Sequence, residues 1–165
     1  MHLLSAHVAL QHHEKMDGSG YPRSLKGTNI HQFGRIAAIA DIFDAVTSDR
    51  VYRGKMPPHE AAALLLSMSG LKLDANYVRQ LLQRVAIYPN GSIVRLNNGK
   101  LGVVLRQEPG LPERPVIRVV ADARNRLIAP REVRLSQASE QYIKGVLPDY
   151  PQRVKDQLRF SSTVT

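Results

Sequence analysis

Residues 12–22 have the sequence HHEKMDGSGYP, which places two histidines and two acids directly before a Gly- and Pro-rich segment. Residues 3–10 are mostly apolar and predict a helix that ends near the histidine pair. Residues 17–22 contain two glycines and a proline, so they predict a structured loop. The first helix starts almost at the first residue and lacks an N-terminal capping residue. We therefore expect a truncated domain.

Three further helices are predicted beyond this loop. Apolar residues recur at three- and four-residue intervals over residues 34–49, which is typical of an amphipathic helix. A second helix is predicted over residues 59–68, where prolines at its start fit the first helical turn. A third is predicted over residues 74–85, with Asp74 as its N-cap. Residues 1–86 are therefore predicted to form a helical domain.

The pattern changes after residue 86 to short β-branched segments. Residues 93–96 and 101–106 flank Asn98-Gly99, and Asn-Gly in this setting is typical of a two-residue hairpin turn. Such a turn predicts one buried face with the following members: Val94, Leu96, Leu101 and Val103. Further strands are predicted within residues 116–120 and 127–135.

The predicted fold class is α+β, with helices followed by a small antiparallel β-sheet or barrel. We expect a helical domain over residues 1–86 and a small basic β domain over residues 87–147. Residues 148–165 are expected to form a C-terminal tail.

Composition and charge restrict the function further. The 165 residues include no cysteine, which excludes disulfides and thiolate metal ligands. No stretch has the apolar length of a membrane span and no secretory signal is present, so a cytoplasmic location is expected. The net charge is +9, and the second half supplies most of it. This excess favours a phosphate-bearing or acidic partner, or else forms a solvated basic surface.

Nucleic acid is not an expected partner of the basic β domain. Small barrels that bind single strands normally offer aromatic side chains on which bases stack. Here Tyr88 precedes the first predicted strand, and no Phe or Trp follows it until Phe160. The eight arginines of this region are instead expected on the solvent side and rims of the sheet: Arg95, Arg106, Arg114, Arg118, Arg124, Arg126, Arg131 and Arg134.

The His12-His13 pair is the first candidate for metal chemistry. Adjacent side chains on a helix diverge by about 100°. The pair can therefore serve one site only if that site holds two metals or if the helix ends there. Imidazole and carboxylate groups suit first-row transition metals such as iron, manganese and zinc. The alternative is a pair of surface or capping histidines.

Asp41 is the second candidate, because it interrupts an apolar stretch over residues 36–42. A carboxylate buried there would need a cation, an arginine or a backbone amide as its partner. Asp44 lies one turn away and is the competing candidate, equally able to face solvent. Beyond the helix, Arg50 and Arg53 could bind a phosphodiester, since a guanidinium matches two phosphate oxygens, or could pair with nearby acids.

Together these segments resemble the HD-GYP domain family. Residues 12–22 resemble its HHE-x-x-DG-x-GYP motif, and GRI at 34–36 and DIFDAVTSDRVYR at 41–53 resemble its second conserved region. Residues 88–135 resemble the small β appendage that follows some of these domains. The resemblance implies an all-helical phosphodiesterase with a bi- or trinuclear iron or manganese site that hydrolyses cyclic di-GMP to the linear dinucleotide or GMP.

The resemblance also implies roles for individual residues. The implied metal ligands are His12, His13 and Asp41. The implied substrate-binding residues are Arg50, Arg53, Gly20, Tyr21 and Pro22. The implied partner loop, which would contact GGDEF-domain proteins, consists of Gly18, Gly20, Tyr21 and Pro22.

One part of the family pattern is missing from the sequence. The His-Asp dyad of the family precedes the histidine pair, and no His-Asp dipeptide occurs anywhere in this chain. We therefore expect the C-terminal part of a phosphodiesterase, inactive alone, with upstream helices or a receiver or sensor domain as partners. The alternative is a non-catalytic signalling module that uses the partner loop and the basic β domain.

Overall fold

The computed structural model describes residues 3–48 and 54–155 and divides the chain into two units, Met1–Val85 and Ala86–Thr165. The first unit is helical. Its elements are α1 (Leu3–Gln11), a 3-10 turn (Gly27–Asn29), α2 (Gln32–Thr47), α3 (Pro58–Met68) and α4 (Ala75–Leu82). Within the described ranges, no helix has the length and apolar character needed to cross a membrane.

Helix α2 is the centre of the helical unit, since α1, α3 and α4 all pack on it. Gly34 permits the close approach of α1, because a Cβ at this position would lie 2.8 Å from the Cβ of Gln11. The main chain N–H of His31 donates to the buried Gln11 side chain at 2.7 Å, which fixes the end of α1 to the start of α2. The end of α1 is thus held where the histidine pair begins.

The apolar cover of α1 is incomplete among the described side chains. Leu10 is 55% exposed and Val8 is half-buried. The side chains of Leu3 and Leu4 lie outside the description. An exposed leucine of this kind is common singly on protein surfaces.

Helix α4 is anchored through its N-cap, Asp74. The Oδ1 atom of Asp74 accepts hydrogen bonds from the backbone N–H groups of Asn76 and Tyr77. Its Oδ2 atom accepts from Arg35 on α2 at 2.7 Å, and the Arg35 guanidinium lies 5.5 Å from the centre of the Tyr77 ring. One carboxylate therefore both caps α4 and ties it to α2.

The second unit is a five-stranded antiparallel sheet in the order β4-β3-β2-β1-β5. The strands are β1 (Ile93–Leu96), β2 (Leu101–Arg106), β3 (Val116–Ala121), β4 (Leu127–Arg134) and β5 (Ile143–Leu147). The predicted α+β class is confirmed. Strand β5, the partner of β1 at one edge, was not predicted. At the other edge β4 is largely exposed and carries Pro130 in its middle.

The predicted two-residue turn at Asn98-Gly99 is wrong. Arg95 pairs with Leu101, and the N–H of Leu96 donates to the carbonyl of Lys100 at 2.9 Å, so the loop has three residues. Gly99 has φ +83°, as the left-handed position of a three-residue hairpin loop requires. The pairing is shifted by one residue relative to the expected register.

That shift divides the predicted buried face between two sides of the sheet. Val94 and Leu96 pack in one cluster with Val104 and Ile117, whereas Leu101 packs in another with Ala121 and Val154. Val103 is only half-buried.

The segment after β5 contributes to the second of these clusters. Val154 is fully buried there, and Tyr150 packs against the same residues. Residues 150–154, which the sequence suggested were tail, therefore complete the core of the β unit.

Candidate metal centre

Helix α1 ends at Gln11, immediately before the histidine pair. This is one of the two conditions under which adjacent histidines can serve one site. The Nδ1 atom of His12 lies 2.9 Å from the carbonyl oxygen of Val8. A carbonyl oxygen only accepts, so Nδ1 carries a proton, and in the neutral imidazole Nε2 then presents its lone pair. Histidines that bind metals are commonly held in this way by their second nitrogen.

His12 and Asp41 line the same open groove between α1 and α2, which has a volume of about 450 Å³. Its other lining residues are small or apolar: Ser5, Val8, Ala9 and Ala37. Asp41 is exposed rather than buried. Its position in an apolar stretch therefore carries no burial cost that would demand a partner. An imidazole and a carboxylate facing one groove are donors that first-row transition metals accept.

His13 lies beside this pair but in a different environment. Its ring stacks on Tyr21 with centroids 4.6 Å apart and an interplanar angle of 27°, and its centroid is 3.9 Å from that of His12. Among residues 3–48 and 54–155, no three His, Asp or Glu side chains form a group that could hold a metal ion. His12 and Asp41 thus fit a metal as part of a donor set, which further ligands would have to complete.

Lys15 is a charged neighbour of Asp41 that sequence reasoning did not single out. Burial lowers the pKa of Lys15, while the carboxylates of Asp41 and Asp17 oppose this shift and the charge of Lys72 adds to it. A half-buried ammonium group therefore lies within electrostatic reach of the Asp41 carboxylate, although Lys15 does not line the groove. Lys15 lies inside the motif, but a lysine at this position does not by itself indicate a functional site.

Two acids of the motif, Glu14 and Asp17, accept hydrogen bonds from their own loop. Glu14 is buried, and its carboxylate binds the backbone of the loop over residues 15–25. The Oδ1 atom of Asp17 accepts from the backbone N–H and the hydroxyl of Ser19, at 2.9 and 2.7 Å. These hydrogen bonds hold the pKa of Asp17 below its ordinary value. Neither acid lines the groove.

The remaining predicted site residues divide into two groups. Gly18, Gly20, Tyr21 and Pro22 lie in the 15–25 loop, where the Tyr21 ring is 60% exposed. Arg50 and Arg53 lie outside the described residues.

The prediction that most arginines of the β unit lie on its solvent side is confirmed. Six of the eight are exposed, and only Arg95 and Arg114 are half-buried. Those two donate to backbone carbonyl oxygens of Gly99 and Leu135. Arg106 pairs with Glu132, while Arg126 pairs with Asp122.

Both units are similar to known families. A family described as an HD domain matches residues 5–77, and a KOW domain associated with HD domains matches residues 93–150. A cyclic di-GMP phosphodiesterase of Pseudomonas aeruginosa is 38% identical over 126 residues, which are 76% of this chain and 30% of that protein.

Two further relatives cover shorter segments. A cyclic di-GMP phosphodiesterase of Thermotoga maritima is 45% identical over 80 residues, 48% of this chain and 22% of that protein. A 3'3'-cGAMP-specific phosphodiesterase of Vibrio cholerae is 38% identical over 85 residues, 52% of this chain and 18% of that protein. The chain thus spans less than a third of the length of each of these relatives.

Proposed function

The chain is an HD-GYP-like protein, and we propose on this premise that it carries part of the active site of a metal-dependent cyclic-di-GMP phosphodiesterase. The observation that carries the proposal is the shared groove of His12 and Asp41. Relatives with related segments are named phosphodiesterases of cyclic di-GMP or of 3'3'-cGAMP. Both are cyclic dinucleotides with two phosphodiester bonds.

His12 and Asp41 would hold a metal ion, iron or manganese, from opposite walls of the groove. A bound metal would supply an activated water and would stabilise charge on the phosphate oxygens. The Val8 carbonyl keeps the Nδ1 proton of His12 in place, so Nε2 remains available without rearrangement. His13 would be the third ligand that this chain provides, with Tyr21 holding its ring.

The substrate would be held by two arginines and by residues of the 15–25 loop. Arg50 and Arg53 would bind the two phosphates, because a guanidinium donates two parallel hydrogen bonds to a phosphate. Gly20, Tyr21 and Pro22 would form the wall on the side of His13. Hydrolysis would give the linear dinucleotide or GMP.

The donor set of this chain is partial, so we propose that the chain alone has no turnover. A cluster that activates water needs all of its ligands. The missing donors would come from another part of a longer protein, either upstream helices or a separate domain. The exposed 15–25 loop would be the contact for a partner such as a GGDEF-domain protein.

Hydrolysis of cyclic di-GMP tests this proposal directly. Both this chain and the longest protein encoded by its reading frame are incubated with Mn²⁺ or Fe²⁺, and the nucleotides are separated by chromatography. We expect turnover only with a protein that completes the donor set, and a loss of at least about 100-fold in His12→Ala and Asp41→Asn, since each removes a ligand.

Matched controls are available in the same unit. Asp44→Asn changes an exposed carboxylate one turn from Asp41 that accepts a hydrogen bond from the Ser48 hydroxyl, and it should retain activity. His59→Ala removes a histidine from α3 and should retain activity as well. Full turnover by His12→Ala, or turnover by this chain alone that requires His12, would contradict the proposal.

A non-catalytic interaction module is the second candidate. The observation that favours it is the net positive surface of the β unit, with six exposed arginines of which two are paired with acids. An acidic protein partner fits this surface better than nucleic acid, since strands β2, β3 and β4 contain no aromatic residue. A fluorescence titration with a short single-stranded oligonucleotide at physiological salt tests this. Tight binding at that salt would contradict our choice of partner, because purely ionic attachment weakens steeply with salt.

A further inference from the structure

Glu14 follows the histidine pair directly, yet its side chain is only 2% exposed. A buried carboxylate is costly unless its oxygens accept hydrogen bonds. Here both oxygens do so: Oε1 accepts from the N–H of Arg23 at 2.8 Å and Oε2 from the N–H of Leu25 at 2.9 Å. The carboxylate thus connects the end of α1 to the far end of the 15–25 loop, and it is not placed as a ligand in the groove.

The two amides that Glu14 binds flank a strained residue. Ser24 has φ +52°, a left-handed conformation that costs about 1–2 kcal/mol for residues other than glycine. Such strain persists only where the surroundings enforce it. Bonds from Arg23 and Leu25 to one carboxylate enforce it here, and the hydroxyl of Ser24 donates to the carbonyl of Gly20 at 3.2 Å.

Gly20 brings the loop into direct contact with the backbone of the histidine segment. A Cβ at Gly20 would lie 2.4 Å from the Cα of Glu14 and from the N of Lys15, and 2.5 Å from the carbonyl oxygen of His13. No side chain fits in that space. The glycine is therefore needed for the close approach of two backbone segments.

Tyr21, the next residue, contacts both the backbone and the ring of His13. The N–H of Tyr21 points to the carbonyl of His13 at 3.4 Å, and the Tyr21 ring stacks on the imidazole of His13. Tyr21 is 60% exposed, so its ring is not enclosed by a packed core. Its position follows from the loop backbone, which Glu14 holds in place.

We propose that Glu14 is a positioning residue, which fixes the 15–25 loop so that Tyr21 holds the ring of His13 at the candidate metal centre. The inference rests on the proposed function only where it assigns His13 to that centre. The mechanical part, from Glu14 through Gly20 to Tyr21 and His13, is independent of any metal.

Hydrogen exchange and NMR of the metal-free chain test that mechanical part. In Glu14→Gln one oxygen becomes an amide NH₂, which cannot accept from a backbone N–H. We expect the exchange of at least one of the Arg23 and Leu25 amides to become about 10- to 100-fold faster, as expected for loss of a hydrogen bond to a charged acceptor. The ring protons of His13 should lose the upfield shift that stacking on Tyr21 causes.

Tyr21→Leu provides a second variant that does not disturb the core, because Tyr21 is exposed. It should remove the His13 ring shift while Arg23 and Leu25 keep their protection. Glu60→Gln, which changes an exposed glutamate on α3, should alter neither readout. A role in stability alone would speed exchange throughout the helical unit in Glu14→Gln and leave the His13 shift intact.

Either of two results would overturn the inference: an unchanged His13 shift in Glu14→Gln or Tyr21→Leu, or unchanged protection of the two loop amides in Glu14→Gln. Failure of the proposed function has a different signature. In that case the loop and ring effects appear as expected, but Mn²⁺ added to the protein that completes the donor set does not broaden the His12 or His13 signals.

Discussion

Replacement of Asp74 tests how one carboxylate both caps a helix and joins two helices. In Asp74→Ala the N-cap of α4 is lost, which costs about 1 kcal/mol. The Arg35 side chain, 19% exposed, also loses its partner, an 11% exposed carboxylate at 2.7 Å. Its Nε atom already has no hydrogen-bond partner within the described chain. Stranding a fully buried charge costs about 3–5 kcal/mol, and partial exposure reduces this to about 2 kcal/mol.

The expected total is about 3 kcal/mol for Asp74→Ala. Asp74→Asn separates the two contributions, because asparagine caps helices as well as aspartate does. It should cost about 2 kcal/mol, the share of the ion pair. With a urea m-value on the order of 1–2 kcal/mol/M, the midpoints should fall by roughly 2 M and 1 M, respectively.

Far-UV circular dichroism at 222 nm during urea denaturation measures this effect, since the helices lie in one unit. Glu60→Gln is the control, because Glu60 is an exposed acid on α3 in the same unit, with its carboxylate 3.9 Å from the ring of His59. A midpoint within about 0.3 M of the unmodified chain for Asp74→Ala would refute the reasoning. Equal losses for the alanine and asparagine variants would refute the separate contribution of the cap.

Two further predictions concern turns. Ser19→Ala should raise the pKa of Asp17 toward its ordinary value, because the hydroxyl is lost as a donor; NMR titration of the carboxyl group measures this. Since the folded-state pKa of Asp17 is depressed, its stabilising contribution is present above the unfolded pKa of about 4 and is lost as the pH falls through the folded value. Gly99→Ala should destabilise the β unit more than Gly110→Ala, by about 1 kcal/mol or more in thermal unfolding. Both positions have positive φ, but only at Gly99 would the new Cβ meet another side chain, that of Ala123 at 2.8 Å. Equal losses for the two glycines would contradict this.

The helical half was predictable because local signals agreed with the packing. Apolar periodicity over residues 34–49 corresponds to α2, and Asp74 caps α4 as its position before an apolar run indicated. The register of the first hairpin was not predictable from Asn98-Gly99 alone. The same dipeptide serves a two-residue turn or a three-residue loop, and the choice shifts every side chain of the strand to the other face.

The candidate site was predictable in its residue types more than in its geometry. His12 and Asp41 are 29 positions apart in the numbering, and only the packing of α1 on α2 brings them to one groove. The role of Glu14 had no sequence signal that separates it from a ligand. The sequence His-His-Glu is the same whether the carboxylate binds a metal or accepts hydrogen bonds from the amides of its own loop.

The exposed edge strand β4 has a consequence for how the β unit behaves among other proteins. An unpaired edge is a template on which strands of other chains can add and aggregate. Pro130 removes one donor from the middle of β4, and the neighbouring residues Arg131, Glu132 and Arg134 would bring charge against any added strand. The proline and these charges therefore oppose the addition of a further strand at the β4 edge of the sheet.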